Sequence, residues 1–430
     1  MDAHVLKTVD TENKGAILRG LPHAIEDSTV STKDKITTIT SVNPSKLKTM
    51  LIHVIERQRP MFIAGPPGIG KSDIVAEVAR MQRRPLIDIR LPLLEATDIR
   101  GLPHLVDVTI RDADGNIVVS EQGVPLTEKV FKWSNPTDLP TDPNSRALVF
   151  FDEMSAAPPS VQAATYQLIL NRKIGTYELP KDVVIIAAGN RVKDKGVAYN
   201  MPTPLANRFV HATLHVDFDD WQEWAMKNRV HKDVVGYLTF QPGDLFDFDP
   251  RRESYAFATP RSWSFVSDLL YERQEDGSLV DTALPADIMG DLIKGTVGEG
   301  PAIKFMTYRK QAANLPRARD ILTGTVTKLN VKQIDIMYAL TTALVYELTD
   351  DVAKAERAKK NGDAKSHDDV YRHVDNFFQF CMDNFEDELV VMAARGFMQN
   401  TRETPVRPQH LKNWKAFVAR YSALIPSMQG

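Results

Sequence analysis

The chain has 430 residues, enough for two or three domains with sizeable cores. Its 53 basic and 56 acidic side chains give a formal net charge of −3, which excludes a generally basic nucleic-acid binder and a polyacidic disordered tail. One cysteine, Cys381, excludes a disulfide framework and fits a reducing compartment. The sequence has neither a signal-peptide pattern nor an apolar run approaching the roughly 18 residues of a membrane span. We therefore expect a cytoplasmic protein that has no membrane partner.

The first half of the chain alternates buried strands with amphipathic helices. Residues 1–43 are polar and aperiodic, which predicts a mostly irregular extension. A helix then begins at Asn43 and Pro44 and buries Leu47, Met50, Leu51, Val54 and Ile55. Apolar runs predict strands at 61–64, 86–90, 147–151 and 183–188, with helices after the first and, from Pro158, after the third. This alternation predicts an α/β fold with a parallel sheet covered on both faces.

Two hairpins interrupt this alternation. Val106, Val108 and Ile110 alternate with polar residues up to an Asp-Gly turn at 114–115, and a returning strand is predicted at 117–119. A shorter hairpin is predicted around residues 173–177.

Helical periodicity dominates from about residue 218 onward. Helices are predicted near 218–229, 260–273, 331–348, 368–394 and 407–423. The charged segment 349–369 is either a solvated helix or a linker. The aromatic residues between Tyr371 and Phe385, with Leu389 and Val390, favour a packed helical core over a binding surface.

A phosphate-binding loop is the strongest motif in the chain. The segment G-x-x-x-x-G-K-S follows a predicted strand and precedes a predicted helix. It comprises Gly65, Pro66, Pro67, Gly68, Ile69, Gly70, Lys71 and Ser72. The glycines and the helix N-terminus are suited to phosphate oxygens, Lys71 to the β and γ phosphates, and Ser72 to Mg²⁺. The motif contacts phosphates alone, so it does not distinguish ATP from GTP.

Two carboxylates end the predicted strand at 147–151. Adjacent residues at a strand end project to different sides, so Asp152 can hold Mg²⁺, partly through water, while Glu153 orients the attacking water.

These motifs resemble the AAA+ ATPases, and among them the MoxR-like branch with its helix-2 insert and pre-sensor hairpin. The resemblance runs from about residue 44 to 263. It rests on the phosphate loop, the A-T-D-I-R-G stretch at 96–101, the Asp-Gly hairpin, F-D-E-M at 151–154, A-A-G-N at 187–190, L-A-N-R-F at 205–209 and T-P-R-S-W at 259–263. It implies an AAA+ core at 44–216 with an insert at about 104–133, a helical lid at 217–300 and a further helical region at 301–430. Trp221 and Trp224 are then interpreted as lid packing.

The resemblance also implies site residues and the cofactors ATP and Mg²⁺. Asn190, at a strand tip, can bond both a γ-phosphate oxygen and the attacking water. Arg208 resembles the finger that enters a neighbouring subunit's site, and Arg261 the sensor that ties the lid to nucleotide. Arg191, beside Asn190, competes for either role. Where the family often has Asn-Pro and Asp-Arg-Phe, this chain has Asn190-Arg191 and Asn207-Arg208-Phe209.

Three functions are compatible with this pattern. The favoured one is a ring, expected to be a homohexamer, that hydrolyses ATP at subunit interfaces to remodel a separate protein partner. The resemblance suggests a partner with a von Willebrand A-type domain. The alternative is a nucleic-acid motor, which would need a basic hairpin. Between residues 106 and 133 there are three basic and five acidic side chains, which favours a protein substrate. A nucleotide switch without turnover is the third, and Glu153 argues against it.

His211 and His215 have a spacing that suggests zinc. The segment 210–216 alternates like a strand, which separates the two by about 13 Å at about 3.3 Å per residue. Structural histidines are therefore the better interpretation.

Overall fold

A computed structural model describes residues 40–191, 194, 201–252, 254–275, 278–329, 333–360, 365–401 and 406–422. Most of the predicted extension, residues 1–39, lies outside the described residues. The described strands are β1 (Ser41–Val42), β2 (Met61–Ala64), β3 (Leu86–Arg90), β4 (Pro103–Thr109), β5 (Thr127–Trp133), β6 (Leu148–Asp152), β7 (Lys173–Ile174), β8 (Tyr177–Glu178), β9 (Val184–Gly189), β10 (Val210–Leu214), β11 (Tyr271–Arg273) and β12 (Leu279–Asp281). The described α-helices are α1 (Pro44–Glu56), α2 (Lys71–Met81), α3 (Ala96–Arg100), α4 (Pro159–Asn171), α5 (Thr203–Ala206), α6 (Phe218–Lys227), α7 (Lys232–Phe240), α8 (Pro260–Leu270), α9 (Ala286–Val297), α10 (Glu299–Ala312), α11 (Ala318–Leu322), α12 (Ile334–Lys360), α13 (Lys365–Asn384), α14 (Asp387–Asn400) and α15 (Lys412–Tyr421).

A six-stranded parallel sheet forms the centre of the first half. Its strand order is β1-β10-β2-β9-β6-β3, and every pairing is parallel. The predicted α/β class is confirmed. Because the strands are parallel, the residues that follow β2, β6 and β9 meet at one edge of the sheet, where α/β folds place their ligands.

Both faces of the sheet are covered, which explains the uninterrupted apolar strands. Within β6, Leu148 and Phe150 pack on the side of α1 and α2, whereas Val149 and Phe151 pack on the side of α4. Asn43 caps α1 as predicted, since its side chain accepts the Lys46 N–H at 3.0 Å.

The first hairpin is longer than predicted. Strand β4 pairs with β5, from Pro103 opposite Trp133 to Thr109 opposite Thr127, so the predicted pairing with 117–119 is wrong for most of the strand. The Asp-Gly turn does form, with a single bridge between Arg111 and Ile117. Beyond Ile110 the hairpin continues as two short turns. The Ile110 N–H donates to the Leu126 carbonyl, while the Ile110 carbonyl accepts the N–H of Val118. The smaller hairpin is confirmed as β7 and β8.

The helices of the predicted lid form a cluster around a buried aromatic centre. Tyr237, Trp263 and Phe305 lie with ring centroids 5.4–5.5 Å apart. The helices α7, α9, α10 and α11 are additional to those predicted. Phe305 belongs to α10, so α10 packs with the lid, and the predicted boundary at residue 300 falls inside this packed unit. Helix α8 ends at Leu270 rather than at the predicted end near 273. Strand β11 begins at the next residue, Tyr271, and pairs with β12.

The last helices form a separate core. The predicted helix at 368–394 is wrong as a single element, since α13 ends at Asn384 and α14 begins at Asp387. The predicted aromatic core is confirmed, with Phe377, Phe378 and Cys381 fully buried in it. Segment 349–369 is helical at both ends, in α12 and α13. Within the described ranges, no helix is long and apolar enough to cross a bilayer.

Candidate active site

The phosphate-binding loop has a backbone that only glycine readily adopts at two positions. Gly68 and Gly70 have φ of +74° and +85°, and Gly70 is the N-cap of α2. A Cβ at Gly65 would lie 2.8 Å from Ile69 and 3.1 Å from the Leu214 carbonyl. These three glycines turn the chain sharply from β2 into α2, whose first N–H groups lack helical acceptors. The loop can therefore receive an anion at this helix N-terminus.

The Lys71 ammonium lies over the loop and links it to the next strand. Its Nζ donates to the carbonyls of Gly65 and Pro66, both at 2.9 Å, and to Asn190 Oδ1 at 3.2 Å. Burial lowers the pKa of Lys71 to about 8, against the opposing effect of the Asp152 carboxylate. Lys71 and Asn190 therefore meet at one edge of the sheet.

Ser72 and Asp152 meet across the sheet edge. Ser72 Oγ donates to Asp152 Oδ2 at 2.8 Å, and Asp152 Oδ1 accepts the N–H of Glu153 at 2.8 Å. A hydroxyl and a carboxylate at this distance form a pair of hard oxygen ligands, which suits a magnesium ion that takes its remaining ligands from phosphate and water.

Glu153 has a left-handed backbone, with φ of +54°. For a residue with a Cβ this conformation costs about 1–2 kcal/mol. Its side chain is exposed and has no partner among the described residues. The turn after it is fixed by Ser155, whose Oγ donates to the Asn190 carbonyl at 3.2 Å. A Cβ at Gly189 would lie only 2.6 Å from that Oγ, so glycine permits this close approach.

Arg261 joins the lid to the phosphate loop. Its backbone N–H donates to the Gly68 carbonyl at 3.1 Å, in the first turn of α8. Thr259 caps that turn by accepting the Ser262 N–H at 3.0 Å. The Arg261 charge acts on Lys71 by lowering its pKa, which places the side chain within electrostatic range of the site.

Arg208 lies at the opposite end of the sheet. It precedes β10, and Val210 at the start of β10 pairs with Met61 at the start of β2, whereas the phosphate loop follows the end of β2. The strand length alone separates these ends by about 10–13 Å at about 3.3 Å per residue. The Arg208 side chain is exposed and has no partner within the described part of the chain.

Arg191 is engaged within its own chain. Its guanidinium contacts the Asp194 carboxylate through Nε and Nη2 at 2.8–3.1 Å. This pairing disfavours the alternative in which Arg191 enters a neighbouring site. Sequence reasoning missed the Asp194 partner, and its only signal was an acidic residue three positions after an arginine.

A cavity of about 520 Å³ opens beside the phosphate loop. Its walls come from the loop, α1, α2, α6 and α8, and include Trp224 and Phe265. The walls are tied together because Ser45 of α1 donates its N–H and hydroxyl to Asp220 of α6, at 2.8 and 2.5 Å. Trp221, predicted as lid packing, is buried, and Trp224 beside it is half-buried.

The histidines suggested by the zinc spacing bind elsewhere. His211 Nε2 lies 2.7 Å from the Ala206 carbonyl and His215 Nδ1 lies 3.0 Å from Ser41 Oγ. Among the described residues, no group of three or more His, Cys, Asp or Glu side chains could hold a metal ion. The structural interpretation of these two histidines is favoured.

Residues 61–212 match the family model described as the ATPase family associated with various cellular activities (AAA). This segment is an AAA ATPase domain. The chain accordingly has the α/β AAA+ P-loop core followed by helices, and it is an ATP-hydrolysing enzyme. The matched AAA segment includes the phosphate loop, Asp152, Glu153, Asn190 and Arg208. Arg261 lies beyond it.

The solved structures to which this chain is similar are distant. A putative ATPase from Cytophaga hutchinsonii has 13% identity and a TM-score of 0.29, over 81% of this chain and 79% of that one. NtrX from Brucella abortus, in complex with ADP, has 12% identity and a TM-score of 0.33, over 88% and 68%. The RuvB Holliday junction branch migration motor of Thermotoga maritima has 12% identity and a TM-score of 0.27, over 79% and 86%. No curated protein sequence matches the chain.

Proposed function

We propose that this protein is a MoxR-like AAA+ ATPase that assembles as a ring and uses ATP hydrolysis at subunit interfaces to remodel a separate protein partner. The phosphate loop, from Gly65 to Ser72, would hold the triphosphate. Glu153 would orient the attacking water and accept its proton, and Asn190 would position the same water against the γ-phosphate.

Magnesium fits the residues at this site. Ser72 Oγ and Asp152 Oδ2 are the ligands that the chain offers, 2.8 Å apart. When bound, Mg²⁺ would neutralise charge on the phosphates and orient them. In the structure the Ser72 hydroxyl donates to the Asp152 carboxylate. Both oxygens keep further lone pairs, so both could turn toward a bound cation.

The observation that carries the ring proposal is the position of Arg208. An exposed arginine without a described partner, at the end of the sheet away from its own phosphate loop, cannot readily serve that loop. It can serve the loop of a neighbouring copy, where its planar cation would stabilise charge in the transition state. A contact that joins one face of a subunit to a different face of the next closes into a ring when its rotation permits, which is the arrangement that we propose here.

A protein partner is favoured by the surface of the β4–β5 hairpin. Leu105 and Phe131 face each other across the two strands and are 55% and 73% exposed. Apolar side chains in such a position suit contact with polypeptide, whereas phosphate tracking requires clustered Lys and Arg. The resemblance to the MoxR-like branch suggests a partner with a von Willebrand A-type domain.

A trapped ring tests the class of substrate. Glu153→Gln protein in Mg·ATP should bind nucleotide without hydrolysing it, and therefore retain its substrate. The matched control is Lys71→Ala, which should not hold the triphosphate. We expect one protein at a fixed ratio to be recovered with Glu153→Gln and not with Lys71→Ala, with nuclease present. Recovery of nucleic acid alone, released by salt and lost on nuclease treatment, would instead identify a nucleic-acid motor.

A further inference from the structure

The guanidinium of Arg191 is held on one edge only. Nε donates to Asp194 Oδ1 at 3.1 Å and Oδ2 at 2.9 Å, and Nη2 donates to Oδ1 at 2.8 Å. The Arg191 backbone N–H also donates to Oδ2 at 3.0 Å. Nη1 has no partner among the described residues. The side chain is therefore oriented by one edge of its fork, and the described residues leave its Nη1 edge unengaged.

The burial of Asp194 distinguishes this pair from an ordinary surface ion pair. The Asp194 side chain is 4% exposed and that of Arg191 is 28% exposed. A surface pair between residues three apart contributes little to stability. A buried carboxylate without its cation is strongly destabilising. The pair thus fixes the guanidinium much more firmly than a solvated partner would.

The pair lies beside the group that contacts the phosphate loop. Arg191 directly follows Asn190, whose Oδ1 accepts from Lys71 Nζ at 3.2 Å. Asp194 and Arg191 both act on Lys71 electrostatically, Asp194 raising its pKa and Arg191 lowering it. A lone buried carboxylate within electrostatic range of Lys71 would repel a triphosphate. Neutralised by Arg191, it instead holds a cation within the same range of Lys71.

We propose that Arg191, oriented by Asp194, acts in its own subunit as a catalytic cation on the γ-phosphoryl group. This inference rests on the proposed hydrolysis and adds a residue to the same site. As the water oxygen bonds to the γ-phosphorus, the bond to the β–γ bridging oxygen breaks and charge moves onto the leaving and peripheral oxygens. Nη1 of Arg191 donates hydrogen bonds to a peripheral oxygen and transfers no proton. Asp194 is the positioning residue.

Removal of Arg191 should therefore affect turnover and leave diphosphate binding intact. We expect Arg191→Ala to lower kcat by about 100-fold, the loss typical of one oriented donor in a transition state. Affinity for a fluorescent ADP should change less than about threefold, because ADP has no γ-phosphate. Affinity for ADP with aluminium fluoride, which mimics the phosphoryl group in transit, should fall with kcat. The matched control is Arg395→Ala, an exposed arginine on α14.

Chemical rescue separates catalysis from a structural role. Guanidinium ion added to Arg191→Ala should restore part of the lost kcat, since the Asp194 carboxylate can hold the free cation where the side chain was. The double variant Arg191→Ala with Asp194→Asn should not be rescued, because an amide does not attract guanidinium. Arg191→Lys should fall between Arg191→Ala and the unmodified protein, since its single ammonium lacks the fork.

The outcomes decide this inference independently of the proposed hydrolysis. If Arg191→Ala turns over ATP within twofold of the unmodified protein while Glu153→Gln is inactive, hydrolysis stands and the inference is overturned. Equal losses of ADP affinity, melting temperature and kcat, without rescue, would also overturn it in favour of a structural pair. If the unmodified protein and Glu153→Gln hydrolyse ATP equally, the assignment of the site itself fails.

Discussion

The Arg261 backbone N–H donates to the Gly68 carbonyl at 3.1 Å, so the first turn of the lid helix α8 binds directly to the phosphate loop. Thr259 packs closely against the same loop position, because its Oγ1 would lie only 2.7 Å from a Cβ added at Gly68. We therefore expect nucleotide binding to be coupled, through the backbone of the loop, to the position of the predicted lid. This close approach, together with the φ of +74°, explains why only glycine fits at position 68.

Gly68→Ala should weaken nucleotide binding by more than about tenfold, since the methyl group must displace either the loop or the lid, in addition to a left-handed strain of about 1 kcal/mol. Equilibrium binding of a fluorescent ATP analogue measures the loss. The matched control is Gly115→Ala, with φ of +87° and no atom near the new Cβ, which carries the strain without the contact. Equal affinities for the two variants would contradict the coupling.

ATP affinity should fall as the pH rises through about 8. Burial lowers the pKa of Lys71 to about 8, and only its protonated form attracts phosphate. Below pH 7 the ammonium is already formed, so affinity is flat; above pH 8 binding must take up a proton, and affinity falls by up to about tenfold per pH unit. Calorimetry at pH 8.5 in two buffers of different ionisation enthalpy measures the proton uptake. Lys71→Arg, which keeps its charge, should show none.

Glu153→Asn should inactivate the enzyme and stabilise the fold. Asparagine tolerates a left-handed backbone better than glutamate, so we expect a gain of about 0.5–1 kcal/mol in the free energy of unfolding. Chemical denaturation and steady-state turnover check the two effects together. Arg83→Gly is the control, because Arg83 has φ of +52° after α2 and lies outside the site; it should gain stability and retain turnover. A less stable Glu153→Asn would contradict stored strain at this position.

Phe265→Ala should weaken ATP and ADP alike. Phe265 is 53% exposed and lines the cavity beside the phosphate loop, where a nucleobase would cover it. Loss of base stacking costs about 1–3 kcal/mol, or about 5- to 150-fold in affinity, with little change in kcat because the contact is equal in ground and transition states. Tyr255→Ala, an exposed aromatic that does not line this cavity, is the control. An unchanged affinity would place the base elsewhere.

The sheet and the place of the phosphate loop could be predicted because they depend on local signals. Buried strands read as apolar runs, and Gly65 to Ser72 carry their chemistry in consecutive positions. The partner of β4 could not be predicted, since Thr127 and Trp133 reach it over a long loop while the nearer Asp-Gly turn is the stronger local signal. Helix α9 was hidden by Gly290 and Gly295, which lower helix propensity.

The tertiary contacts of the site were likewise outside local pattern. Nothing in the sequence near Gly68 indicates that Arg261, far along the chain, would donate to its carbonyl. The cavity wall that joins Ser45 to Asp220 depends on two helices that lie in contact although these two residues are 175 positions apart in the sequence. By contrast, the interpretation of His211 on a strand required only the two-residue period of β structure.

Mixing two inactive variants tests the central claim most directly. The Arg208→Ala subunit keeps Glu153 in its own site but offers no arginine to its neighbour. The Glu153→Gln subunit offers Arg208 to its neighbour but cannot hydrolyse ATP in its own site. If Arg208 acts in the neighbouring subunit, random mixing at equal amounts makes about a quarter of the interfaces complete, and ATP turnover should recover to about that fraction. The matched mixture of Arg208→Ala with the double variant Arg208→Ala, Glu153→Gln should stay inactive. No recovery in the first mixture, with subunit exchange shown by differently labelled copies, would contradict a site completed between subunits.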